Sequence, residues 1–83
     1  MPAIRVVDLA SQARVVAEHV QGWPRARIVA WLGQYGDVTV IDPDPARGLY
    51  YFCSRYGPAT HFIIDADGRF LIMADHTIYD PRR

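Results

Sequence analysis

The sequence lacks the features that support several common modes of action. Its single cysteine, Cys53, excludes an internal disulfide framework and fits a reducing compartment. Nine basic and nine acidic residues cancel, and no run of like charge provides a basic arm for nucleic acid or a polyacidic tail. No apolar run approaches the length of a signal-peptide core or a membrane span. We therefore expect a cytoplasmic protein that does not act at a membrane.

Catalytic and metal-binding patterns are also missing from the sequence. Cys53 and His61 are the first pair to test as nucleophile and base, but the strand register predicted below places them on opposite faces of a sheet. His61 and His76 do not have the spacing of a zinc site. The aspartate-rich turns at 42–44 and 65–68 lack the downstream glutamate that closes an EF-hand loop. We expect no catalytic residue, no metal and no cofactor, and a small enzyme that uses Cys53 or His61 is the least favoured interpretation.

The most informative stretch that is present runs from Leu49 to Ala74 and predicts three β-strands. It is filled by β-branched and aromatic residues and is divided by a Gly-Pro turn and an Asp-Gly turn. A three-residue loop with Gly68 in the left-handed position fixes the register of the second hairpin, and a four-residue loop at 55–58 fixes that of the first. The expected cross-strand pairs include Ile64 with Phe70, His61 with Met73, Phe52 with His61, and Tyr51 with Phe62.

This register gives the sheet two apolar faces. The face that we expect to form the core, beneath a helix, consists of Leu49, Tyr51, Cys53, Thr60, Phe62, Ile64, Phe70, Ile72 and Ala74. The second face consists of Tyr50, Phe52, Ser54, His61, Ile63, Leu71 and Met73, with Asp65 and Arg69 at the hairpin tip. A sheet that is apolar on both sides needs cover on both sides. We therefore expect the second face to be covered by a further layer or to bind a partner.

The residues before these strands predict one clear helix. Asp8 stands where an N-cap should, an apolar stripe follows from Leu9 to Val20, and Gly22 ends the helix. A short strand is expected at Ala3 to Val7, ahead of the cap.

Residues 25–35 fit two patterns. A helix would begin behind Pro24, with a stripe at Ile28, Trp31, Leu32 and Tyr35, whereas a strand would alternate and turn through residues 33–36. We favour the strand because Trp23 is a poor helix cap. Residues 38–41 are a strand in either case, and the tail from residue 75 onward is expected to be mobile at its end.

We predict a single α+β domain over residues 1–83. One long helix, with or without a second short one, packs on an antiparallel sheet of four or five strands. The expected function is non-catalytic binding of a protein partner, or of a second copy of the chain, through the exposed sheet face or an edge, as small inhibitors, antitoxins and phage-encoded blockers do. The predicted protein-binding residues are Tyr50, Phe52, Tyr56, His61, Ile63, Leu71 and Met73.

A single-stranded nucleic-acid-binding module is the alternative function. It would stack unpaired bases on Tyr50 and Phe52, as RNA-binding sheets do. The neutral net charge makes nucleic acid the less favoured partner, because attraction to phosphates normally supplies much of the binding energy.

Overall fold

The computed structural model describes residues 4–83 as two short helices followed by a five-stranded antiparallel sheet. The elements are α1 (Ala13–His19), α2 (Arg25–Leu32), β1 (Gly36–Asp42), β2 (Arg47–Ser54), β3 (Thr60–Asp65), β4 (Phe70–Ala74) and β5 (Thr77–Tyr79). The strands lie in chain order across the sheet, so each pairs with its neighbours in sequence. The α+β class and the antiparallel sheet are confirmed, whereas the single long helix is wrong.

The helix α1 is shorter than predicted because a side-chain-capped turn precedes it. The Asp8 carboxylate accepts hydrogen bonds from the Ser11 amide at 3.3 Å and from the Ser11 hydroxyl at 2.7 Å. Gln12 reaches back, and its Oε1 accepts from the amides of Val7 and Asp8. These bonds satisfy amides that a helix start leaves without partners. Asp8 thus caps the turn as expected, but the regular helix begins only at Ala13.

Residues 25–32 form a helix, so the favoured strand is wrong. Pro24 occupies the N-cap position with an extended backbone and no side-chain cap. Ile28 and Leu32, one helical turn apart, are both fully buried in the core. Burial of this stripe outweighs the poor cap, because tertiary packing supplies most of the stability of a short helix.

Both ends of the chain also differ from prediction. Residues 4–7 are irregular, so the expected first strand does not form there, and Ala3 lies outside the described residues. The tail adds the strand β5, which a turn at Asp75 and His76 joins to β4. Both turn residues have positive φ, 51° and 62°. Two successive residues with positive φ are typical of the type I′ turn that joins the strands of a β-hairpin, but the usual Asn-Gly or Asp-Gly signal for this turn is missing.

Both helices cover the same face of the sheet. Their buried side chains join those of Tyr50, Phe52, Phe62, Ile64, Phe70 and Ile72 in one core. The pairing of β3 with β4 is as predicted. The pairing of β2 with β3 is shifted by one residue, since Tyr50, not Tyr51, lies opposite Phe62. A one-residue shift exchanges the faces of a strand, so Tyr50 and Phe52 lie beneath the helices and Tyr51 lies on the other side.

The shifted register follows from contacts between the β2–β3 loop and the N-terminal segment. The Ser54 hydroxyl donates to the Val7 carbonyl at 2.6 Å. Gly57 lies so close to the same carbonyl oxygen that a Cβ at this position would be 1.9 Å from it. Ser54 must therefore point to the helix side, and by strand alternation Phe52 and Tyr50 point there too.

Arg25, at the start of α2, ties the helices to the sheet. Its Nη1 donates to the Tyr50 hydroxyl at 3.0 Å and to the Asp44 carbonyl at 3.2 Å. Its Nη2 donates to the carbonyls of Pro45 at 2.8 Å and Ile64 at 3.0 Å. All four acceptors are uncharged. Gly48 leaves room for this guanidinium, because a Cβ there would be 1.9 Å from Nη1.

Replacing Arg25 and Gly48 singly and together tests this junction. Arg25→Ala should lower the free energy of unfolding by about 2–4 kcal/mol, because several charge-assisted hydrogen bonds are lost. Gly48→Ala should cost about 1–3 kcal/mol through the clash with the guanidinium. In the Arg25→Ala background the Gly48→Ala change should cost less than in the wild type, since the clash with the guanidinium is gone and only the approach to the Tyr50 hydroxyl at 2.9 Å remains. Urea unfolding followed by tryptophan fluorescence measures each corner of the cycle.

The exposed Arg14→Ala is the matched control for the loss of an arginine. Its i,i+4 ion pair with Glu18 should contribute no more than about 0.5 kcal/mol. Equal costs for Arg14→Ala and Arg25→Ala, or additive costs for Arg25→Ala and Gly48→Ala, would contradict the proposed junction.

Asp8 should make a pH-dependent contribution to stability. Hydrogen bonds from the Ser11 hydroxyl and amide hold the pKa of Asp8 below its ordinary value of 3.8. A carboxyl whose folded pKa is lowered stabilises the fold above the unfolded pKa, and this contribution is lost as the pH falls through the folded pKa. The stability difference between the wild type and Asp8→Ala should therefore be constant near neutral pH and shrink below about pH 3.8. Urea midpoints of the wild type and of Asp8→Ala, measured across this pH range, test the linkage. A difference between the two midpoints that does not change with pH would refute it.

Candidate functional site

The sheet face that both helices leave uncovered is the candidate site. Strand alternation places eight side chains of β2–β5 on it, and we call them the open face: Leu49, Tyr51, Cys53, His61, Ile63, Leu71, Met73 and Ile78. They form two main rows across the sheet. The aliphatic row contains Leu49, Ile63 and Leu71, and the mixed row contains Tyr51, His61, Met73 and Ile78. Cys53 lies beyond the mixed row.

The centre of the open face is tightly packed although no element lies over it. Ile63 is only 1% exposed, yet it stands outside the core that the helices form. Its neighbours in the two rows are half-buried and shield it. The Tyr51 and His61 rings lie 4.6 Å apart between centroids and tilt against each other. The side chains of the open face therefore pack against one another and form a continuous apolar surface.

The C-terminal tail does not cover the open face. Asp80 pairs with Arg69 at 3.6 Å. Asp80 and Arg82 line a cavity of about 460 Å³ together with Val20 and Gly22, which follow α1 on the helix side of the sheet. Within residues 4–83, no helix or strand packs over the open face.

Charge is confined to the margins of the open face. Arg47 precedes Leu49 on β2, and Asp37 lies opposite Cys53 on β1. Neither forms an ion pair in the described part of the chain. Asp65 lies opposite Arg47, but its carboxylate accepts hydrogen bonds from the amides of Asp67 and Arg69 at 2.9 Å. Asp42 lies opposite Leu49 on β1, at the same end as Arg47. Arg47, Asp37 and Asp42 thus lie at the margins of the open face without an ion pair in the described part of the chain.

Four of the seven predicted binding residues lie on the open face, namely His61, Ile63, Leu71 and Met73. Tyr50 and Phe52 do not, because the shifted β2 register buries them beneath the helices at 3% and 0% exposure. Tyr56 lies in the β2–β3 loop, is 74% exposed and is separate from the open face. The prediction missed Leu49 and Tyr51 because of the same shift. It missed Ile78 because no strand was expected in the tail.

Cys53 and His61 lie on the same face, contrary to the prediction that they face opposite ways. His61 pairs with Tyr51, so Cys53 is its diagonal neighbour at about 7–8 Å. The Cys53 side chain is exposed, not buried as a structural cysteine would be. The His61 ring contacts Tyr51. Neither the cavity beside Asp80 nor the one beside Tyr35 is lined by Cys53 or His61.

The described residues 4–83 contain no group of three or more side chains that could hold a metal ion. Neither α1 nor α2 is long and apolar enough to cross a membrane.

An aromatic cluster on the helices is a second partly exposed surface that the sequence analysis did not identify. It contains His19, Trp23, Trp31 and Tyr35, whose successive ring centroids are 4.9–5.9 Å apart. The Arg27 guanidinium lies 3.9 Å from the centre of the Trp23 ring. These contacts join the end of α1 to α2, so the cluster has a structural role in holding the two short helices together.

Comparison of the chain with protein-family models, with curated proteins and with solved structures finds no match. We therefore infer the function from the surface itself.

Aspartate substitutions on the two faces should have opposite effects. Phe52→Asp places a charge in the helix-covered core and should abolish cooperative unfolding, because an isolated buried charge is very costly. Leu71→Asp lies on the open face and should retain the fold with a loss of no more than about 2 kcal/mol. Circular dichroism during thermal unfolding measures both. Loss of folding in Leu71→Asp alone would show that the open face, not the helix side, is the essential core.

Proposed function

We propose that this chain is a non-catalytic protein-binding protein that docks through its open face. The observation that supports this most directly is an apolar surface on the side of the sheet opposite both helices, with charged residues only at its margins. The solvated face of an antiparallel sheet is ordinarily polar. Large exposed apolar patches are typical of interaction sites, and tyrosine and methionine are enriched in protein interfaces.

The open face suits a protein better than a nucleic acid. The base-stacking alternative depended on Tyr50 and Phe52, which lie in the core. The open face has one aromatic pair, Tyr51 with His61, and the cation Arg47 at its margin is accompanied by Asp37 and Asp42. Backbone phosphates would find few cations there, and contacts to phosphate normally dominate nucleic-acid affinity.

The face is also a better docking surface than the edge of the sheet. The edge strand β1 has seven residues, and Val40 and Ile41 are about half-exposed. Its pairing with β2 is irregular between Val40 and Asp42, and Asp37 and Asp42 place charges near its ends. Bulges and charged residues are the devices by which proteins prevent strand addition at an edge.

A partner for this surface should be flat and apolar, because the open face has no deep pocket for a protruding anchor. A second sheet face or a broad helical surface fits that requirement. Inhibitors, antitoxins and phage-encoded blockers of enzymes remain the finer functional classes proposed, and their basis is the small size of the chain. Action in the cytoplasm is likewise a prediction, made from the single cysteine.

Affinity purification from the native cell with matched variants tests the docking surface. The wild type should co-purify with a protein, either a differently tagged copy or another chain. Leu71→Asp should lose this protein. Val15→Asp should keep it, because Val15 is 50% exposed on α1, away from the open face. Val40→Asp should also keep it, which separates the face from the β1 edge.

Circular dichroism must first show that all the variants are folded. Retention of the same partner by Leu71→Asp, or its loss in Val40→Asp alone, would contradict docking through the open face.

A further inference from the structure

We propose that a small cavity beside the β2–β3 loop binds the phosphate group of a small aromatic phosphate monoester. The cavity has a volume of about 140 Å³ and lies between the N-terminal segment, the α2–β1 turn and the β2–β3 loop. Its lining residues are Arg5, Val6, Gln34, Tyr35, Arg55 and Tyr56. None of them belongs to the open face, so this inference goes beyond the proposed docking function and does not depend on it.

The charge of the lining residues distinguishes this cavity from the larger one beside Asp80. The larger cavity is lined by two arginines and two aspartates, and one of these pairs, Arg69 with Asp80, is already joined. The cavity beside Tyr35 is lined by two arginines and no acidic residue. Neither Arg5 nor Arg55 forms an ion pair within the part of the chain that the structure describes. Both positive charges are therefore available to an anion.

The two acidic residues nearest to the lining segments in the sequence do not neutralise these arginines. The Asp8 carboxylate accepts hydrogen bonds from the amide and the hydroxyl of Ser11. Asp37 lies opposite Cys53 on β1 and is not among the residues that line the cavity. An anion would therefore meet a local excess of positive charge, although the chain as a whole is neutral.

Hydrogen bonds hold together the three segments that form the cavity. The Tyr35 hydroxyl donates to the Ile4 carbonyl at 2.9 Å, and the Arg55 amide donates to the Tyr35 carbonyl at 3.0 Å. The Ser54 hydroxyl joins the end of β2 to the N-terminal segment. The backbone of the site is thus formed before any ligand binds. Both arginine side chains are exposed, so their guanidinium groups can turn towards a bound anion.

Size and charge favour a phosphate monoester over a carboxylate. A guanidinium binds phosphate through two parallel hydrogen bonds. A phosphate monoester carries a charge of about −1.5 to −2 at neutral pH, which two arginines balance, whereas a carboxylate balances only one of them. The cavity has the volume of about five water molecules at about 30 Å³ each, which is the size of a phosphate group.

The aromatic part of the ligand is inferred from Tyr56. This side chain is 74% exposed, follows Arg55 directly and lines the same cavity. An exposed aromatic ring beside cationic groups that bind phosphate is a surface on which the ring of a ligand can stack. Gln34 is also exposed at the cavity, and its side-chain amide adds hydrogen-bond donors for the phosphate oxygens.

An NMR titration of the ¹⁵N-labelled chain with phenyl phosphate tests the site. The amide signals of the lining residues should shift with a Kd of the order of 1 mM or tighter. Arg5→Gln and Arg55→Gln should each weaken binding about tenfold or more, and Arg5→Lys should weaken it less, because lysine keeps the charge but not the paired hydrogen bonds. Arg14→Gln on α1 removes the same charge away from the cavity and should bind as the wild type does.

Smaller probes separate the two parts of the ligand. Tyr56→Ala should weaken binding of phenyl phosphate about threefold or more but leave binding of inorganic phosphate unchanged, because only the stacking contact is lost. Benzoate, which has the ring and a single negative charge, should bind the wild type about tenfold more weakly than phenyl phosphate does. The unshifted amide signals of each variant show whether it is folded.

Three results would overturn the inference. Shifts at the lining amides that do not saturate, or an equal loss of binding in Arg14→Gln and Arg55→Gln, would overturn the anion site. Benzoate that binds as tightly as phenyl phosphate would overturn the assignment to a phosphate monoester. Phenyl phosphate binding that Tyr56→Ala leaves unchanged would overturn the aromatic part.

Discussion

The hydrogen bonds of Arg25 are the constraint on which the remaining structure depends. One guanidinium joins the start of α2 to the β1–β2 loop, to Tyr50 on β2 and to a carbonyl of β3. Its charge is stabilised by the dipoles of carbonyl and hydroxyl groups, so it needs no carboxylate. The guanidinium also requires a residue without a side chain at position 48. Because Gly48 and Tyr50 both face Arg25, the alternate residues of β2 must face away from the helices and form the open face.

Both helices of the described residues 4–83 lie on one side of the sheet, so neither helix covers the other side. The core binds α1 and α2 to one set of alternate strand residues, and the aromatic cluster of Trp23 and Trp31 holds the two helices to each other. The other set of strand residues is equally apolar but receives no second layer. Its central residue, Ile63, is nevertheless almost completely buried by its own neighbours. The open face therefore needs no helix over it to remain ordered, and its half-buried residues stay accessible to a partner.

The parts of the fold that were predictable from the sequence are those with local causes. The pairing of β3 with β4 follows from the Asp-Ala-Asp-Gly turn, and it placed His61, Ile63, Leu71 and Met73 correctly on one face. The register of β2 depends on the contact of Ser54 with Val7, 47 residues earlier in the chain, which no turn rule contains. The choice of helix for residues 25–32 likewise depends on Arg25 and on burial of Ile28. The turn at Asp75 and His76 contains no glycine or asparagine, and although aspartate and histidine adopt positive φ more often than other side chains do, this gave β5 only a weak signal.

The correction to β2 changes what kind of partner the surface can accept. With Tyr50 and Phe52 on the open face, two neighbouring aromatic rings on one strand would have resembled the base-stacking platform of an RNA-binding sheet. With Leu49 and Tyr51 there instead, an aliphatic row lies beside a row of larger side chains. The charges at its margins that form no ion pair among residues 4–83 are one cation, Arg47, and two anions, Asp37 and Asp42. Such a pattern provides little positive charge to neutralise a polyanion. A shift of one residue in one strand thus removes from the open face the paired aromatic rings on which the nucleic-acid hypothesis depended.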